Sequence, residues 1–249
     1  DELDPQEWIS QGIVDVVVGQ QFSLAGPPDS TADFGPLVEA ARGTNCRIHG
    51  AIHSGLNSDR MNLPSIEMVR AVASNYYQQG VDGLYLAHWF AYWPYGPEFY
   101  ETLRELPHAD IMAPKDKIYF VPTNTSNPVN EALYGKIEKQ LPVKLDVGKT
   151  AGVDFYVSDD LKRWGSMKRV HEVILRLRIE GYTEKDSLSF TLNGEELPDN
   201  SLREINRMYM MSAQRYRVGG HWFIFRLDKE NWPDLGSNHL EVTLNGKDP

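Results

Sequence analysis

The sequence is poor in what would commit it to cross-links, metal or membrane. Its single cysteine, Cys46, has no partner for an internal disulfide, and no Cys/His cluster with zinc spacing accompanies it. The apolar run IVDVVV is short and broken by Asp15, far from the ~20 apolar residues that a membrane-spanning helix needs. Positive charge is in the minority. Twenty-five Lys and Arg against 35 Asp and Glu give a net charge of -10 with no basic stripe, so neither nucleic acid nor an anionic lipid surface is an expected partner. A glycine-rich phosphate loop and a serine on a nucleophile elbow are also missing, which argues against kinase, dinucleotide and esterase chemistries; no cofactor or metal is expected. No initiator Met and no basic-then-apolar leader opens the sequence at Asp1, which fits a processed, trimmed or partial product.

What is present is ample for packed cores. The 249 residues, 41% of them hydrophobic, suffice for one large domain or two ordinary ones. The first part alternates β-branched runs with helical patterns, as parallel strands joined by crossover helices do. Asp4 and Pro5 open a short helix that Gly12 ends; Ile13 to Phe22 reads as a buried strand. Phe34 to Arg42 reads as a helix, Arg47 to Ser54 as a strand, and Pro64 to Gly80 as the clearest helix, with Ile66, Val69, Val72, Ala73 and Tyr76 at helical spacing. Val81 to Trp89 is a third strand and Pro97 to Leu106 a last helix.

From about Pro107 the texture turns to Pro, Asn and Thr, as in an extended connection. Beyond Leu141 the runs KLDVG, VDFYVS, HEVILRLRIEG, SLSFTLNGEEL, WFIFRL and HLEVTLNG alternate with period two, and Asn193-Gly194 and Asn245-Gly246 mark turns. The expected organisation is α/β plus all-β: βα units over residues 1–110, a connection over 111–140, and an antiparallel β-sandwich over 141–249.

The order WISQGIVDVVVGQ, RIHGAIHSG, VRAVASNYYQQGVDGLYLAHW resembles the last strands of bacterial family-10-like (β/α)8 glycoside hydrolases, with Asp82 and Gly83 in the Gly-x-Asp-Gly strand that closes the barrel. DSLSFTLNGEEL and GSNHLEVTLNG look like strand pairs of galactose-binding-like β-sandwiches. The resemblance implies the C-terminal part of a TIM-type barrel followed by a sandwich. It also implies further barrel strands, on a segment before Asp1 or on a second chain, a carbohydrate partner, and a secreted or periplasmic setting.

In such a barrel the site lies at the carboxyl ends of the strands. That rule selects Gln20 and Gln21 after the first strand, His53 after the second, and His88, Trp89, Tyr92 and Trp93 after the third as substrate-binding residues. Amides and imidazoles can bond sugar hydroxyls, and the aromatic segment HWFAYWPYGPEFY can stack on pyranose faces. His49 reads as a core histidine, and Asp82 as a backbone clasp at the barrel floor. Glycoside hydrolysis ordinarily requires two carboxyl groups. None of the three strands ends in one, so Asp59 and Glu98 are the catalytic candidates from loop or helix start; otherwise the carboxylates lie on the absent strands, or the site only binds. A non-catalytic carbohydrate-binding or assembly module is the rival reading. The aromatics Trp164, Tyr209, Tyr216, Trp222 and Trp232 could make a sugar-binding face on the β-domain, but a structural role in the sandwich core and domain interface is the expected one.

Overall fold

A computed structural model describes residues 3–20, 32–54, 64–89, 93–121, 140–206 and 221–248. The chain forms two compact units, Asp1–Lys139 and Gln140–Pro249.

The first unit is built on a parallel sheet of order β1-β2-β3, from Val16–Gly19, Arg47–His53 and Gly83–Ala87. Among the described residues five helices accompany it: α1 (Pro5–Ser10), α2 (Gly35–Ala41), α3 (Ile66–Gln78), α4 (Pro97–Glu105) and α5 (Ala109–Met112). Asp4 caps α1 by accepting the Glu7 N–H at 3.0 Å, and Ser65 caps α3 by accepting from Met68. Val69, Val72, Ala73 and Tyr76 recur at helical spacing on α3 and are buried with Ile48 and Ile52 of β2. Each large side chain so enclosed contributes roughly 1.5–3 kcal/mol.

Among the described residues, helices cover one face of this sheet. Ile48 and Ile52 point into the helical core, and a Cβ added at Gly50 would lie 2.6 Å from the Tyr76 ring, so this strand lets α3 approach closely. The alternate residues of the other face include Val16, Val18 and Tyr85, all exposed large side chains.

The expected elements exist, with changed limits. The first strand begins later than expected: among the described residues Val16–Gly19 pair with β2. The stretch expected as a connection begins as part of the first unit: α5 buries Met112 completely, Ile118 donates its N–H to the Glu67 carbonyl at 3.1 Å, and Phe120 packs against the core.

The second unit holds two antiparallel sheets. One has the order β4-β10-β6-β7, from Thr150–Val157, Gly236–Gly246, Ser187–Leu192 and Glu195–Glu196; the other has the order β5-β9-β8, from Ile174–Ile179, His221–Arg226 and Leu202–Asn206. Phe190, Leu192 and Val242 of the first sheet share a core with Phe223 and Phe225 of the second. Asn193-Gly194, both at positive φ, forms the two-residue turn between β6 and β7. Asn245-Gly246 instead falls where β10 shifts register between Leu244 and Gly246. KLDVG is not a strand; Val147 makes only an isolated bridge to Leu244. Two elements were not anticipated, a helix α6 (Leu161–Ser166) and β8, whose sequence LREIN alternates too weakly to stand out. Trp232 packs against this core, donating its indole N–H to the Leu227 carbonyl at 3.1 Å.

Candidate functional site

The carboxyl edge of the parallel sheet gathers Gln20, His53, Ser54 and His88, each leaving the end of its strand. Alternation would send the side chain after Ala87 toward the helices. His88 instead takes a left-handed φ of 60°, and its ring stands 4.7 Å from that of His53, inclined by 34°. Ser54 fixes this turn by donating its hydroxyl to the His88 carbonyl at 2.6 Å. A non-glycine residue in this region carries strain that the surrounding contacts must hold, a condition that recurs at ligand sites.

Burial, and then the neighbouring His88, hold the His53 pKa below the ordinary histidine range. At neutral pH His53 is therefore an uncharged imidazole, one nitrogen donating and the other accepting. The enclosed amide nitrogen of Gln20 makes no hydrogen bond among the described residues. Two imidazoles at one strand edge can donate and accept hydrogen bonds with hydroxyl groups.

Beyond His88 the aromatics form a ladder. Trp89 is only 6% exposed and donates its indole N–H to the Ile52 carbonyl at 3.1 Å, so its ring serves packing at the strand end. It touches Phe99 at 5.6 Å; Phe99 stacks on Tyr95 at 4.0 Å, and Tyr95 meets Trp93 edge-on at 5.5 Å. Trp93, 72% exposed, is the outer end of the ladder. Tyr95 and Ser54 are contributors that sequence reasoning did not single out; Ser54 was legible only as a small hydroxyl directly after His53.

At the opposite edge of the sheet Asp82 clasps β2. Its carboxylate accepts the Ile48 N–H at 2.8 Å while its own N–H donates to the Ile48 carbonyl at 2.7 Å. His49 lies over Gly83, where an added Cβ would come within 2.9 Å of its Nε2. The adjacent aspartate and glycine thus fasten the strand and make room for the ring.

No described residue at a strand end is a carboxylate. Glu98 is exposed in the first turn of α4, where its Oε2 would stand 2.8 Å from a Cβ added to Gly96. Asp59, Gln21 and Tyr92, and Tyr209 and Tyr216 of the second unit, lie outside the described residues. Among the described residues no three His, Cys, Asp or Glu side chains are grouped to hold a metal ion, and no helix is long and apolar enough to cross a membrane. No family model matches this chain, and no curated protein matches it significantly.

Proposed function

We propose that this chain is a glycoside-hydrolase-like protein that supplies part of a substrate cleft for an oligo- or polysaccharide. In this reading His53, His88 and Gln20 bond sugar hydroxyls at the rim of the parallel sheet, and Trp93, backed by Tyr95, stacks against a pyranose face. The observation that carries it is the His53–His88 pair, its rings held 4.7 Å apart at the carboxyl edge with His88 in left-handed backbone geometry. The exposed Val16, Val18 and Tyr85 support reading the sheet as one wall of a (β/α)8 barrel, whose inner face further parallel strands would fill. The paired antiparallel sheets are read as a galactose-binding-like sandwich.

Hydrolysis then needs carboxyl groups from Asp59, from Glu98 or from further strands. The absence of a carboxylate from the described strand ends favours a second reading, in which the rim only binds. A panel of neutral oligosaccharides tests both. Binding that weakens at least about fivefold in His88→Ala and in Trp93→Ala supports the cleft, since the lost contacts are hydrogen bonds and ring stacking of about 1 kcal/mol or more. Unchanged affinity in both variants removes it. Release of reducing ends, abolished by Asp59→Asn or Glu98→Gln, separates hydrolase from binding module.

A further inference from the structure

The outer face of the β5-β9-β8 sheet carries an arrangement that the fold does not require. Alternation turns Phe223 and Phe225 of β9 into the core and leaves Ile224 and Arg226 outside. The register sets Arg176 of β5 and Arg203 of β8 on either side of Ile224, one cross-strand row with a guanidinium at each end. With strands spaced about 4.8 Å apart, the two arginines start from backbone roughly 10 Å apart. The row lies in a hollow of about 650 Å³ whose edges hold Arg226, Glu172, Asp228 and Ser201.

Charge distribution marks this face. In a chain of net charge -10, three arginines line one hollow of this face, and a fourth, Arg178, lies on the same face paired with Glu180 at 3.4 Å. Arg226 is paired with Glu172 at 3.1 Å, but among the described residues Arg176 and Arg203 have no ion pair. Exposed cations on strands often serve only to keep a sheet edge soluble. Arg176 and Arg203 are both on edge strands, yet they face outward from the plane of the sheet, flanking an isoleucine in a hollow.

We propose that this face binds an acidic glycan, a chain of uronate sugars whose carboxylates pair with Arg176 and Arg203 while a pyranose C–H face rests on Ile224. A guanidinium presents a planar fork that matches a carboxylate. Glu172 and Asp228 decide between ligands: they accept hydrogen bonds from the hydroxyl groups of a sugar, donors that polyglutamate side chains lack, and they repel carboxylates placed against them. The proposal shares only its ligand class with the rim reading and concerns a different face of a different unit.

The test is calorimetric titration of the whole chain with tetramers of galacturonate, mannuronate and glucuronate, with the neutral galactose tetramer, and with hexaglutamate. At least one uronate tetramer should bind, more weakly as salt rises, and the neutral tetramer and hexaglutamate at least about fivefold less tightly. Arg176→Gln with Arg203→Gln should lose about fivefold or more with an unchanged thermal midpoint, while the corresponding Lys pair, which keeps charge without the fork, should fall between. The proposal is overturned if no uronate binds, if the neutral tetramer or hexaglutamate binds as well, or if the double Gln variant keeps full affinity. Uronate binding that His88→Ala weakens and the double Gln variant does not would belong to the rim, ending this proposal and leaving that reading intact.

Discussion

Glu105 is the residue on which the helical side of the first unit depends electrostatically. Its carboxylate, 5% exposed, accepts from Arg70 Nε at 2.7 Å and from Arg70 Nη2 at 3.2 Å, and Lys115 approaches one of the same oxygens. Arg70 is itself nearly enclosed and reaches the Asp116 carbonyl at 3.4 Å, so the group ties α3, α4 and the segment after α5 together. Glu105→Gln keeps the shape and removes the charge, leaving the Arg70 guanidinium buried against a neutral amide. Breaking a buried pair from one side costs about 3–5 kcal/mol. At roughly 2–4 °C per kcal/mol, the thermal midpoint of this unit should fall by roughly 6–20 °C. Differential scanning calorimetry of the whole chain would resolve this, with the transition of the second unit as internal reference. A loss below about 1 kcal/mol would refute the reasoning, since it would mean that Glu101, 3.9 Å from Arg70 Nη2, or water already compensates Arg70. Acid offers the same test without mutation. Burial raises the Glu105 pKa, but the hydrogen bonds and charges of Arg70 and Lys115 outweigh it and hold the carboxyl below its ordinary range. The ion pair therefore contributes fully above the unfolded value of about 4.3, and its contribution is lost as pH falls through the lower folded value.

Three further outcomes follow from the site. Gly83→Ala should force the His49 ring aside and cost about 1–3 kcal/mol by denaturant unfolding, and His49→Ala in the same chain should recover most of it. Asp82→Ala should cost about 1–3 kcal/mol by leaving the Ile48 N–H without its carboxylate, with Asp82→Asn recovering part. His53 should titrate below His88-independent reference histidines in an NMR pH series, and His88→Ala should move its midpoint upward only partway, because burial is the larger cause. With its folded value below its unfolded one, His53 makes the fold less stable as pH falls through about 6.5 toward the lowered value, and a His53 midpoint at or above 6.5 would refute the assignment.

The parallel half was legible because its signals are local. Asp4-Pro5 and Ser65 cap helices, α3 keeps an unbroken helical period, and Gly43 and Gly80 stop their helices at positive φ. The role of Asp82 could be read because a carboxylate opening a buried strand has few partners other than backbone. Long-range facts were hidden. Trp89 reads as a surface aromatic beside His88, yet its indole N–H finds a carbonyl 37 residues earlier in the chain. The meeting of His53 and His88 depends on the backbone turn at position 88, which no neighbouring glycine or proline announces. Met112 and Phe120 belong to the first core although Pro- and Lys-rich sequence surrounds them, because burial there is set by α3 and not by local composition. β8 was missed since its outward arginine and its glutamate obscure the alternation.

The central claim is that the carboxyl edge of the parallel sheet forms a sugar-binding rim. It is tested most directly by recording the imidazole and indole resonances of the whole chain during titration with a neutral oligosaccharide panel. The account requires the His53, His88 and Trp93 signals to shift together and saturate with one common dissociation constant. Saturable binding that leaves all three unmoved, or no binding by any member of the panel, would contradict it.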